Sequence, residues 1–305
     1  MLALSACSDD AEADPDATGA EACPDTLNFS DTGVEGLETL RVEFEDFRVA
    51  LEEAIGKDID FHPISSRTAA ATALEFDEID LLLTGPAEYV VLQQEAEALP
   101  VTGITREDYR AAIFATEGSG IDSIDDLEGE TVITKEVGST SGHLGPLEML
   151  ESAGLTVGED VEVMPLADTR MAAFASGEGA ALGTGYSDFE EIQEEVDEEV
   201  YIVEEGPDLP NDLFVARAGL GQNCADWLEE QLIENQDVLL EAIVQTGEND
   251  KYLNSEFVDA EDGDYDPTRR AFEAAGFEDY AEMPDENEPA EGEDEAEEDA
   301  EETEG

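Results

Sequence analysis

Apolar positions along this chain alternate between two periods, and the switches between them lay out its elements. Leu40, Phe44, Phe47, Leu51 and Ile55 recur every three or four residues and stop at Gly56, which predicts an amphipathic helix with a glycine cap. Short apolar runs at residues 26–29, 58–64 and 79–83, each bounded by turn-forming residues, are predicted strands. Helices are predicted over 68–74, which is Ala-rich, and over 87–96. Residues 110–116 read as a strand crossing to a second unit, where the alternation repeats. A short helix and turn at 124–129 precede a strand at 131–134 and a helix that ends at Gly154. A strand at 161–165, a helix at 169–175, a strand at 180–183 and a helix at 186–194 follow. Residues 200–204 lead back toward the first unit, and beyond Leu213-Phe214-Val215-Ala216 helices resume around 227–232 and 238–246. This alternation specifies an open α/β architecture with mostly parallel strands.

Charge adds more to this picture than length does. The chain of 305 residues holds 83 Asp and Glu against 12 Lys and Arg, a formal net charge of −71, and the acids run along its whole length. Hydrophobic residues still make up 41%, enough for real cores in two domains or in two lobes around a ligand. Such a field opposes compaction and excludes nucleic acid and anionic membrane surfaces as partners. Salt makes it tolerable, because the Debye length falls to about 3 Å near 1 M. The composition therefore reads as that of an extracytoplasmic protein from a salt-loving organism. Residues 282–305 are almost wholly Glu, Asp, Ala, Pro and Gly, and are expected to form a disordered acidic tail. No stretch approaches the roughly 18 apolar residues of a membrane-spanning helix.

The most chemically informative segment is Gly138-Ser139-Thr140-Ser141-Gly142-His143, which opens an apolar helix through Leu144, Leu147, Met149 and Leu150. Glycines let a ligand approach the backbone, first-turn N–H groups lack intrahelical partners, and the helix dipole presents its positive end. Three adjacent hydroxyls can then donate to tetrahedral oxygens without any formal positive charge. The competing reading is an ordinary Ser/Thr cap. His143 sits in the first turn, where an imidazolium is disfavoured, so it serves either as a neutral donor near a ligand or as a packing residue. His62 and His143 cannot form a zinc site with cysteines so distant, and no strand-to-helix nucleophile elbow surrounds the serines.

The three cysteines carry separate meanings. Leu4-Ser5-Ala6-Cys7 matches the lipobox of bacterial lipoproteins, in which the cysteine is lipidated, and an acidic, Ala-rich run to Glu21 follows as a tether. Only six residues precede Cys7, so the expectation is a truncated signal whose true start lies upstream. A lipid chain would hold the protein at a membrane without spanning it. Cys23 and Cys224 remain; export allows a disulfide between them, and two free thiols are the other reading.

Three motifs in order resemble one known family. Asp80-Leu81-Leu82-Leu83-Thr84-Gly85-Pro86-Ala87-Glu88-Tyr89-Val90, the Gly118-Ser119-Gly120-Ile121 segment running to Leu127-Glu128-Gly129, and the 138–143 segment with Pro146 and Leu150 are similar to those of phosphate, phosphite and phosphonate solute-binding proteins of ABC importers, the PhnD-like family. Pro210-Asn211-Asp212 matches a turn near that family's hinge. The resemblance covers roughly residues 26–280. It implies a two-lobed type II periplasmic-binding-protein fold, with residues 26–115 plus 205–281 as lobe I and 116–204 as lobe II, after a leader and tether at 1–25.

Carried over residue by residue, the resemblance implies that Tyr89 offers its hydroxyl from lobe I. Ser139, Thr140 and Ser141, with Gly142 and His143 beside them, would hold the phosphorus oxygens. Asp188 and Asp212 fall near positions where relatives hold acids at the cleft. Arg67 stands where many relatives carry an aromatic residue. Thr169 or Arg170 stands in place of a histidine.

The expected function is an extracytoplasmic lipoprotein that captures a phosphorus oxyanion by lobe closure and hands it to ABC permease subunits. It would act as a monomer, without enzymatic activity, cofactor or metal. The alternatives are a sensor or binding protein on the same fold for another oxyanion, such as a sulfonate or carboxylate, and a cofactor-precursor enzyme, for which His143 is the only reactive cleft candidate.

Overall fold

A computed structural model describes residues 17–34, 36–64 and 67–277, with the backbone alone for residues 67, 68 and 168. Cys7 with its lipidation signal, Ser65-Ser66 and the acidic tail lie outside the described residues, as does the Arg67 side chain.

Two sheets organise the chain. The first holds six strands in the order β11-β4-β10-β3-β1-β2. They are β1 (Thr26–Asp31), β2 (Asp58–Phe61), β3 (Leu81–Thr84), β4 (Leu99–Ile104), β10 (Asp212–Ala216) and β11 (Phe257–Val258). The second holds five in the order β7-β6-β8-β5-β9. These are β5 (Arg110–Thr116), β6 (Thr131–Thr134), β7 (Glu162–Pro165), β8 (Ala181–Gly185) and β9 (Val200–Asp208).

Helix α1 (Leu37–Ile55) buries the five apolar positions read from its period, and its cap Gly56 takes φ +66°, a left-handed conformation that glycine adopts without cost. It packs one face of the first sheet with α7 (Gln222–Glu234) and α8 (Gln236–Val244), around Phe29, Phe44, Phe47 and Phe214. The other face carries α2 (Arg67–Glu75), α3 (Pro86–Ala96) and α9 (Asp266–Ala274), around Leu82, Tyr89, Val215 and Phe272. In the second sheet, α4 (Gly145–Ser152) covers Ile113 and Val132, while α5 (Arg170–Ser176) and α6 (Phe189–Glu195) cover Phe114 and Ile133. Cys23 and Cys224 are joined as a disulfide, with Cα atoms 5.0 Å apart, pinning the chain ahead of β1 to α7.

The structure departs from the sequence reading in four places. Each sheet is mixed rather than mostly parallel: β10 runs antiparallel to β3 and β4, and β5 antiparallel to β8 and β9. The chain changes lobes at these strands, and short crossings force reversals that helical crossovers avoid. Residues 110–115 and 205–208, expected in the first lobe, lie inside the second sheet, Arg110 opposite Asp208 and Ala112 opposite Glu205, with Ile113, Phe114 and Ala115 continuing opposite Glu204, Ile202 and Tyr201. The crossings are instead residues 105–109 and 209–211.

Strand β4 had no periodic signal, since Pro100 and Gly103 break it; the ladder with β10 shifts register where Pro100 lies. Helix α9 was not anticipated either. It buries only Thr268, Ala271 and Phe272, an i, i+3, i+4 stripe too sparse to stand out among charged neighbours.

Candidate functional site

The C-terminal ends of β1 and β3, the crossing at 105–109, the start of β10, the turn holding Lys251 and Tyr252, and the turn after β6 converge on a cavity of about 310 Å³ between the two sheets. Ligands of open α/β folds bind at such strand ends, because helix N-termini and loops meet there.

The lobe II wall is the hydroxyl turn. Gly138 takes φ +90°, which swings the chain off β6. Residues Thr140–Leu144 then form a wide π turn rather than an ordinary helical start, and the Leu144 N–H donates to the Ser139 carbonyl at 2.9 Å. π turns of this kind recur at functional sites because they re-aim side chains. The cause is local: the Lys135 N–H donates to the Gly142 carbonyl at 2.9 Å, and a Cβ on Gly142 would lie 2.4 Å from the Lys135 side chain. Gly142 therefore makes room for Lys135, which lines the cavity beside Ser139, Thr140 and Ser141. Lys135 Nζ lies 2.9 Å from Asp188 Oδ2, an oxygen that also accepts the Thr184 hydroxyl at 2.6 Å.

The lobe I wall carries paired charges. Asp212, buried at the start of β10, accepts from Arg106 Nη1 at 3.3 and 3.4 Å and from the Tyr252 hydroxyl at 2.6 Å. Lys251 Nζ stands 3.7 Å from the same carboxylate. Burial works against the Arg106 charge, but Asp212 together with the Tyr109 and Tyr252 hydroxyls outweighs it and holds the guanidinium's pKa above its usual value. That guanidinium lies 3.7 Å above the Tyr109 ring. Burial, then Asp212, raises the Tyr109 and Tyr252 hydroxyls above their usual range, so both remain donors.

Asp31 ends β1 in the same wall. Its Oδ1 accepts the Gly33 N–H at 2.7 Å, and burial lifts its carboxyl to about 6 against the opposing pull of Lys251. Thr84, Gly85 and Glu88, at the start of α3, complete the lining.

Of the residues named from sequence, Ser139, Thr140, Ser141 and Asp212 line this cavity together. Asp188 stands one layer back, holding Lys135. Tyr89 does not line the cavity. It is fully buried, its hydroxyl 2.9 Å from Asp262 Oδ1 and its ring 4.4 Å from that of Tyr265. One residue along a helix is a turn of about 100°, and Glu88 takes the cleft-facing place instead.

Gly142 and His143 also lie off the lining. His143 is buried, its Nδ1 has no partner among the described residues, and burial lowers its pKa to about 4, so it packs as a neutral ring. Thr169 is exposed and its hydroxyl donates to the Leu166 carbonyl at 2.8 Å. Arg170 reaches Asp188 at 3.9 Å rather than the cavity.

The sequence reading missed Asp31, Thr32, Glu88, Arg106, Tyr109, Lys135, Lys251 and Tyr252. A usable signal was present: two of the three lysines in a chain of net charge −71, Lys135 and Lys251, lie here. Among the described residues no group of His, Cys, Asp and Glu could hold a metal ion, and no helix is long and apolar enough to cross a membrane.

A family model described as "ABC transporter, phosphonate, periplasmic substrate-binding protein" matches residues 35–265. The phosphate-import protein PhnD of Mycolicibacterium smegmatis is 26% identical over 161 residues, 50% of this chain and 50% of that protein, so the match spans about half the length of that curated relative. Among solved structures, PhnD1 of Prochlorococcus marinus in complex with methylphosphonate aligns with a TM-score of 0.60 at 16% identity, covering 83% of this chain and 98% of that one. The aliphatic sulphonate binding protein SsuA of Escherichia coli aligns at 0.58 and 17% identity, covering 83% and 87%. These structures share the two-lobed type II periplasmic-binding-protein fold. With the family model spanning most of its length, this chain belongs to the periplasmic substrate-binding proteins of phosphonate ABC transporters.

Proposed function

We propose that this protein captures a phosphorus oxyanion (a phosphonate, phosphite or phosphate) between its lobes and delivers it to the permease of an ABC importer. One observation carries the reading: Ser139, Thr140 and Ser141 meet Arg106, Lys135 and Lys251 around a single cavity of about 310 Å³. Hydroxyls and cations at close range hold an oxyanion that the surface charge of −71 would repel, because salt screens the distant field and not the contacts. Binding acts by population shift: a ligand touching both walls favours the closed arrangement over the open one. The protein is read as an extracytoplasmic monomer held to the membrane by lipid on Cys7, and it catalyses no reaction.

Calorimetric titration of the protein in molar salt, after unfolding and refolding to strip carried-over ligand, tests this. The panel holds phosphate, phosphite, methylphosphonate, 2-aminoethylphosphonate, methanesulfonate and sulfate. Micromolar or tighter binding of one phosphorus oxyanion supports the reading; silence on all four removes it. A sulfonate is the second reading, favoured by the likeness in fold to SsuA.

A further inference from the structure

The cavity holds carboxylates as well as cations, and a bare oxyanion has no use for a carboxylate. Asp212 is already supplied by Arg106, Tyr252 and Lys251, and so faces the ligand as a neutralised group. Glu88 is only half-buried at the cavity edge. Asp31 differs from both. It is 7% exposed, it lines the cavity, and among the described residues its hydrogen bonds engage Oδ1 alone, at the Gly33 N–H. A buried carboxylate oxygen against an anionic ligand is repulsive unless a proton stands between the two.

We propose that Asp31 is a specificity residue that accepts the hydroxyl proton of a phosphorus oxyanion and thereby rejects sulfonates and sulfate. The inference rests on the oxyanion-binding reading above and narrows it. Phosphate, phosphite and phosphonates carry a P–OH in one of their forms near neutral pH, whereas a sulfonate carries no proton there. A sulfonate in the same place requires Asp31 itself to bind a proton from solvent. The other charges acting on Asp31 are Lys251, which favours its ionised form, and Asp212 and Glu43, which disfavour it; Arg106, Lys135 and Glu88 share the cavity. Since Asp31 titrates near 6, each pH unit above that value lowers sulfonate affinity by about tenfold.

The test compares methylphosphonate with methanesulfonate, two ions of nearly the same shape that differ in that proton. Titrations in molar salt at pH 8 use the wild-type protein and Asp31→Asn, whose amide can still accept from Gly33 while offering N–H to an unprotonated oxygen. Wild type should prefer methylphosphonate by at least a hundredfold. Asp31→Asn should weaken methylphosphonate and strengthen methanesulfonate, each by tenfold or more. Titrating the wild type in buffers of different ionisation enthalpy gives a readout that needs no variant: sulfonate binding should take up about one proton and phosphonate binding less.

A preference unchanged in Asp31→Asn, or sulfonate binding without proton uptake, overturns the assignment of Asp31. Wild type that binds both ions equally overturns it as well and leaves the oxyanion reading standing. Wild type that binds neither these ions nor phosphate or phosphite removes both.

Discussion

Thr140 Oγ1 accepts the backbone N–H of Ala87 across 3.3 Å, joining the hydroxyl turn of lobe II to the first turn of α3 in lobe I. Thr140 also lines the cavity beside Tyr109, in the crossing between lobes. Leu144, one turn on, is buried among Tyr89, Tyr265 and Phe272 of lobe I. The turn that faces the ligand therefore also closes the lobes.

Ser139 and Thr140 should accordingly separate in their effects. Ser139→Ala removes a hydroxyl from the cavity, and a hydrogen bond to a charged group is worth about 1.5–3 kcal/mol, so affinity should fall by about 10- to 150-fold. Thr140→Ala should lose as much and also shift the ligand-free protein toward the open form. Calorimetry reads the first effect and small-angle scattering the second.

Tyr89→Phe should leave the dissociation constant unchanged, because the side chain packs on α9 and not on the ligand. It loses the hydrogen bond to Asp262, so stability should drop by about 0.5–1.5 kcal/mol, seen as a lower denaturation midpoint. An affinity loss of tenfold would instead place this hydroxyl in the ligand site.

Gly142→Ala should act through Lys135. The added Cβ falls 2.4 Å from the Lys135 side chain, which must leave its place 2.9 Å from Asp188. Affinity should fall about as far as in Lys135→Met, and the two changes together should cost little more than either alone. A double-mutant cycle by calorimetry checks this.

The pH dependence of stability follows from Asp31. Its folded value, about 6, lies above the unfolded 3.8, so the folded state binds the proton more tightly. The stabilisation is fully present below pH 3.8 and is lost as pH rises through 6. Asp31→Asn, neutral throughout, should then exceed the ligand-free wild type by up to about 3 kcal/mol at pH 8. The difference should close near pH 4. Chemical denaturation in molar salt at the two pH values measures it, and equal midpoints at pH 8 would contradict the burial argument. A residue that lowers stability while lining a binding cavity fits the usual exchange of stability for function.

Association should quicken with salt. The field of a chain at −71 slows an approaching anion, and screening removes that barrier within a Debye length. Stopped-flow rates for methylphosphonate should rise between about 0.2 and 2 M salt; a fall would mean that local cations steer the ligand instead.

Much of this was legible in the chain. The five apolar positions of α1 and its Gly56 cap, and the strand at 131–134, stand where local periodicity and glycine put them. The hydroxyl turn was legible for the same reason, since Ser139, Thr140 and Ser141 adjoin one another in sequence. The other cavity wall was not. Asp31, Glu88, Arg106, Asp212 and the neighbours Lys251 and Tyr252 come from five separate segments, and the pairing of β3 with β1 and β10, and of β10 with β4, helps bring them together.

Helical phase decided between Glu88 and Tyr89, because α9, invisible in the pattern, covers one face of α3 and buries the tyrosine. Sequence thus determined the elements and one chemically self-contained turn, both products of short-range sterics and hydrogen bonding. The tertiary structure decided which charges meet, because contacts between distant segments depend on sheet order and packing that no local period encodes.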